Sequence, residues 1–121
     1  MEEKRKYIRI QAPIIVTYKI QDQSSESKKA VCKDFSEGGV RFPVYEQINI
    51  NTPLEIYIET PFDTLPIFVK GRVVWIKPLS SKEGHELYEM GVEFTEINPF
   101  DKKRLVQTAR AFLGMKKGGS N

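Results

Sequence analysis

Two short strings hold most of the chemistry that these 121 residues could perform. The first is Arg5-Lys6-Tyr7-Ile8-Arg9, a pair of arginines with three residues between them, just ahead of the first apolar run. A spacing of four puts both guanidinium groups on one side of the chain whether the backbone is helical or extended, so they can converge on one target. The planar guanidinium fork gives parallel hydrogen bonds to phosphate oxygens or to the acceptor edge of a guanine base, and it stacks on flat rings. Lys4 and Lys6 add longer-range attraction for an anion. The second string is Asp34-Phe35-Ser36-Glu37-Gly38-Gly39. A carboxylate and a hydroxyl two residues apart share one side of an extended backbone and can accept from the N–H edge of a purine, while glycine lets a ligand come close to the main chain. Each string also has a plain structural reading. Basic termini are commonly solvated ends, and Asp and Ser commonly cap turns through their own backbone.

Little else in the sequence suggests a reaction. The single histidine, His85, sits in a polar stretch with no cysteine nearby in sequence, and a metal site needs more ligands than that. Cys32 is the lone cysteine, so no internal disulfide forms; beside Val31 it reads as a small buried thiol and not as a nucleophile. The acidic residues are scattered singly, and the glycines do not make a phosphate loop of the Walker kind. Neither catalysis, a metal nor a resident cofactor is expected.

Composition narrows the partners. With 40% hydrophobic and 29% charged residues, the chain has the make-up of an ordinary soluble globular domain. The start, Met-Glu-Glu-Lys-Arg-Lys, is charged and is not followed by the apolar stretch of a secretory signal, and no run is long enough to span a bilayer. Together with the lone cysteine this predicts a cytoplasmic protein. The net charge of +3 is uneven: Lys4, Arg5, Lys6 and Arg9 crowd one end, and Lys102, Lys103, Arg104, Arg110, Lys116 and Lys117 load the other. So small an excess argues against a nucleic-acid polymer, which normally draws on a broad basic face, whereas a small phosphorylated ligand needs only a few cations.

The elements that must position these residues are mostly strands. Alternation of apolar and polar residues recurs in short runs: Ile14 to Ile20, Lys29 to Phe35, Val40 to Val44, Leu54 to Ile58, Ile67 to Ile76 and Leu87 to Thr95. The polar segment from Gln21 to Lys29 reads as a long hairpin loop and Ser80 to Glu86 as a polar loop, with Pro78 closing the strand before it. Ser36 to Gly39 reads as a tight reversal whose paired glycines supply positive φ. Gly71 marks a bend or bulge, and Ile67, Val69, Gly71, Val73 and Trp75 fall at alternating positions. Asn98-Pro99 then resembles a helix start and Gly114 a stop; Leu105, Ala109, Phe112 and Leu113 form a docking stripe between them. No helices lie between the strands, which excludes parallel crossovers and leaves an antiparallel barrel or sandwich.

In conjunction these features resemble one family. An R-x-x-x-R element (Arg5, Arg9) ahead of the first strand, a D-x-S-x-x-G element (Asp34, Ser36, Gly39) between the second and third, and six short strands with a closing helix are similar to the PilZ domain from about Lys4 to Leu113. Further echoes are Gly71-Arg72-Val73-Val74-Trp75 and Gly91-Val92-Glu93-Phe94. The resemblance implies a six-stranded antiparallel β-barrel with a C-terminal helix, arranged as a basic arm (1–10), barrel (12–95), helix (99–113) and tail (114–121) of a single domain. It implies a bacterial, non-enzymatic receptor for cyclic di-GMP, a ring of two guanylates joined by two phosphodiesters, that signals to an unidentified downstream protein. Arg5 and Arg9 would clamp guanine and phosphate, Asp34 and Ser36 would hold a guanine edge, and Gly38 and Gly39 would clear space beside it. Lys4 and Trp75 are auxiliary candidates, the latter as an aromatic neighbour to a base. Ordering of Lys4 to Ile10 by ligand would make binding a conformational switch. The rival readings are a PilZ-like interaction module that has lost the nucleotide, and a small nucleic-acid-binding barrel.

Overall fold

A computed structural model describes residues 14–21, 26–32, 34–82 and 85–118, with the backbone alone described at 80–82, 85 and 113–118. The strands are β1 (Ile15–Ile20), β2 (Lys28–Val31), β3 (Asp34–Phe35), β4 (Gly39–Val44), β5 (Pro53–Thr60), β6 (Asp63–Lys82) and β7 (His85–Glu96), followed by helix α1 (Pro99–Gly118). They form a seven-stranded sheet in the order β2-β1-β5-β6-β7-β4-β3, antiparallel at every pairing.

The order dictates the shape. The edge strands β2 and β3 follow each other in the chain, separated only by Cys32 and Lys33. A flat sheet of this width would hold its edges roughly 29 Å apart, whereas the link from Val31 to Asp34 spans at most about 10 Å. The sheet must therefore curl until its edges approach. The Cys32 N–H donates to the Ile14 carbonyl at 2.7 Å, close to where they meet. The result is a curled half-barrel with one C-terminal helix.

Seven strands replace the six expected, because the run from Lys29 to Phe35 is not one strand. Its first part pairs with β1 and its last part with β4, so each half lies along a different edge. The chain bends at Cys32, whose buried thiol donates to the Asp34 carbonyl at 3.0 Å.

Alternation predicts the core well where strands are regular. Val16 and Tyr18 on β1, Val40, Phe42 and Val44 on β4, and Leu54, Ile56 and Ile58 on β5 are all buried in one continuous cluster. β6 is less regular. Its register against β7 slips between Lys70 and Gly71, at the bend expected there, and a Cβ at Gly71 would come within 2.7 Å of the Glu93 carbonyl oxygen. A second slip leaves Val74 as an extra residue between the pairs Val73↔Val92 and Trp75↔Gly91. This bulge reverses the alternation. Trp75, expected on the face of Val73, is turned to the outer face instead.

Three more expectations are corrected. β6 and β7 stay paired as far as Lys82↔His85, so most of the segment expected as a loop is a hairpin ribbon. Pro78 does not end β6; it lies beyond the part of the strand that β5 covers, on an open edge where a missing N–H costs nothing. The helix, likewise, continues past Leu113 and Gly114 to Gly118. Glycine costs about 1 kcal/mol in a helix interior, but it stops one only by adopting the left-handed conformation.

The helix begins as expected. The Asn98 side chain accepts from the Asp101 N–H at 2.8 Å and donates back to the Asp101 carboxylate at 2.8 Å, a reciprocal cap. Leu105 and Ala109 are buried, and Phe112 meets Phe35 edge-on at 6.1 Å and Phe62 at 5.0 Å. The helix thus packs behind β3, the strand that begins the Asp34 turn.

Candidate functional site at the Asp34 turn

The turn from Ser36 to Gly39 is held from three directions. The Ser36 N–H donates to the Gly39 carbonyl at 2.9 Å, which closes the reversal. The Gly38 N–H donates to the Ser36 hydroxyl at 3.1 Å. The Phe94 N–H donates to the Gly38 carbonyl at 2.9 Å and ties the turn to β7. Gly39 is required by close approach and not by positive φ: its φ is not in the left-handed region, but a Cβ there would collide with the Val92 carbonyl oxygen.

Asp34 and Ser36 are brought together on this turn, and both are buried. Ser36 serves the backbone of its own turn through Gly38, as serines in turns commonly do. Asp34 instead faces outward across the hairpin to Arg41, its register partner, whose Nη2 donates to its Oδ2 at 2.6 Å. Arg41 was not singled out by the sequence. A signal existed: a hairpin closed over Ser36 to Gly39 puts residue 41 opposite residue 34.

The row continues across the sheet. Asp34 pairs with Arg41, Arg41 with Gly91, and Gly91 with Trp75. Directly opposed residues point to the same face, so this row lies on the outer surface. Asp34 and Trp75 are three strands apart, roughly 14 Å between backbones. Lys77 places its Nζ 5.6 Å from the centre of the Trp75 ring. Glu89 is buried, with Oε1 3.7 Å from Arg41 Nη1 and 3.8 Å from Lys77 Nζ. The outer face therefore offers a carboxylate acceptor, two cations and an indole. Such a set can accept purine N–H groups, attract an anion and stack a base.

A hollow beside the turn is lined by Glu37, Glu93, Glu96 and Lys102; Arg72 donates to Glu93 at 3.0 Å and Lys70 lies 4.0 Å from Glu96. Among the described residues no cluster of His, Cys, Asp and Glu could hold a metal ion, and no helix is long and apolar enough to cross a membrane. Lys4, Arg5 and Arg9, with the ordering proposed for the arm, lie outside the described residues.

The chain matches the family model of the PilZ domain over residues 3–110. No curated protein matches it. Solved structures of similar fold include the Bacillus subtilis inhibitor of motility MotI/DgrA, with a TM-score of 0.70 and 19% identity, covering 93% of this chain and 53% of that one. The K. pneumonia MrkH complex with c-di-GMP has a TM-score of 0.74 and 12% identity, covering 99% of this chain and 57% of that one. The chain thus spans just over half the length of these two proteins. The PilZ domain of Escherichia coli YcgR, solved with c-di-GMP, has a TM-score of 0.68 and 14% identity, covering 97% of this chain and 95% of that one. These likenesses establish the fold, and with the match over residues 3–110 they show that the chain belongs to the PilZ domain family.

Proposed function

We propose that this chain is a non-enzymatic cytoplasmic receptor for cyclic di-GMP that passes its signal to a partner protein. Arg5 and Arg9 clamp guanine and phosphate, Asp34 and Ser36 accept from a guanine edge, and Gly38 and Gly39 leave the backbone open to it. Lys4 adds attraction for the anionic ring, and Trp75 offers an aromatic neighbour to a base.

The observation that carries this reading is the hydrogen bond from the Cys32 N–H to the Ile14 carbonyl, 2.7 Å long. It puts the start of the barrel beside the residue that lies two before Asp34. Arg9 is five residues upstream of Ile14, a reach of at most about 18 Å. Covalent reach thus allows the two motifs to meet at one end of the sheet, which supports the reading. The MrkH and YcgR complexes with c-di-GMP share the fold.

Calorimetric titration of the purified chain with cyclic di-GMP, with GTP as control, tests the reading. Saturable heat with the cyclic dinucleotide alone is expected. No heat with either nucleotide would leave a family member that works through protein contacts only.

A further inference from the structure

Arg41 bridges two buried carboxylates from strands on either side of its own. Its Nη2 holds Asp34 on β3 at 2.6 Å, and its Nη1 faces Glu89 on β7 at 3.7 Å. The Asp34 and Glu89 side chains are 5% and 7% exposed, that of Arg41 27%. The Arg41 Nε is buried with no hydrogen-bond acceptor among the described residues.

That arrangement is a poor way to stabilise a sheet. Desolvating a carboxylate and a guanidinium largely offsets their attraction, and apolar residues of similar volume often do as well or better. A buried N–H without an acceptor adds to the cost. What the arrangement does provide is fixed geometry. β3 is two residues long, so its ladder alone restrains Asp34 weakly. A guanidinium braced by a second carboxylate restrains the direction of the carboxylate oxygen it holds, Oδ2 of Asp34. Accepting from Arg41 does not disqualify Asp34 as an acceptor for another donor, because a carboxylate has about four acceptor positions.

We infer that Arg41, braced by Glu89, is a positioning residue for base recognition: it orients the Asp34 carboxylate toward the paired N–H donors on the guanine edge without itself touching the ligand. The inference rests on the receptor reading given above. It makes guanine preference depend on Arg41 through Asp34, because adenine presents one donor beside an acceptor where guanine presents donors side by side.

The test is calorimetric titration with cyclic di-GMP and cyclic di-AMP of the wild-type chain, Arg41→Met, Arg41→Lys, Asp34→Asn and the Asp34→Asn/Arg41→Met double variant. Arg41→Met should weaken cyclic di-GMP binding roughly tenfold and narrow the preference over cyclic di-AMP by a similar factor. Arg41→Lys keeps the charge and the stem but not the fork, and should shift both quantities in the same direction. In the Asp34→Asn background, Arg41→Met should change affinity by no more than roughly twofold. A general loss of structure would lower both affinities alike and leave the preference where it was. Wild-type preference in both Arg41 variants, or losses that multiply in the double variant, would overturn the inference alone. A wild-type chain that binds neither nucleotide would overturn the receptor reading and this inference with it.

Discussion

The indole of Trp75 occupies the volume that a side chain at Gly91 would need: a Cβ built at position 91 would collide with Nε1 and Cε2 of that ring. The two residues are register partners, and the indole lies over the bare backbone of β7 because the bulge at Val74 has turned it outward.

Gly91→Ala should therefore displace Trp75 from its seat. The cost should be about 1–3 kcal/mol, the usual range for overpacking, and because Trp75 is the only tryptophan in the chain its emission reports the move directly. A red shift with a lowered urea midpoint is expected. Unchanged emission and midpoint would show that the ring is not seated on Gly91.

How far the sequence reveals this depends on what decides each feature. The inward faces of β1, β4 and β5 were legible, because burial on one side imposes strict alternation. So was the start of the helix at Asn98, since its cap is a local hydrogen bond. The bulge at Val74 was not legible. One inserted residue flips every side chain beyond it, and nothing in Val73-Val74-Trp75 marks which residue is extra. The β6–β7 ribbon was missed for a related reason: past Pro78 it is held by ladder hydrogen bonds with no core behind them, so it has no apolar period to read. The Asp34 turn was legible as a motif, whereas its partner Arg41 follows only once the hairpin register is counted.

The two arm arginines make the strongest prediction about binding. Arg5→Ala and Arg9→Ala each remove charge-assisted hydrogen bonds worth about 1.5–3 kcal/mol, a roughly tenfold to hundredfold weakening. Thermal midpoints of the unliganded variants, measured alongside, separate a loss of binding from a loss of folding. Equal affinity in both variants by calorimetry would remove the clamp.

Tyr18 predicts the alkaline behaviour. Burial, and then the adjacent Glu46 carboxylate, push its phenol well above the ordinary 10.0. Its hydroxyl donates to Glu46 at 3.3 Å, and Lys28 closes on the same carboxylate at 2.5 Å. A group whose folded pKa is raised contributes stability that is complete below its unfolded value and is lost as pH rises past it. Wild-type stability should thus fall above about pH 10 more steeply than that of Tyr18→Phe. Parallel curves for the two proteins in urea melts from pH 8 to 11 would exclude Tyr18 as the source.

Arg104 fastens the helix to the β5–β6 turn, and its removal should loosen both. Its guanidinium donates to the Asp63 carboxylate at 2.9 Å, to Asp101 at 2.8 Å and to the Pro66 carbonyl at 3.2 Å, and also reaches the Leu65 carbonyl. Arg104→Ala leaves the largely buried Asp101 with only its cap partner, at a cost of about 1–3 kcal/mol. Asp63 adds an acid dependence. A hydrogen bond from the Leu65 backbone, and then Arg104, hold its carboxyl below the ordinary 3.8. A lowered folded pKa means that the stabilisation is present above the unfolded value and is lost as pH falls through the folded one. Asp63→Asn should therefore flatten the acid end of the stability curve by lowering stability slightly near neutral pH and leaving it unchanged at low pH, where the wild-type carboxyl is protonated; the difference is small because an exposed ion pair contributes little. An Arg104→Ala urea midpoint equal to the wild type at pH 7 would mean that Leu105, Ala109 and Phe112 seat the helix without it.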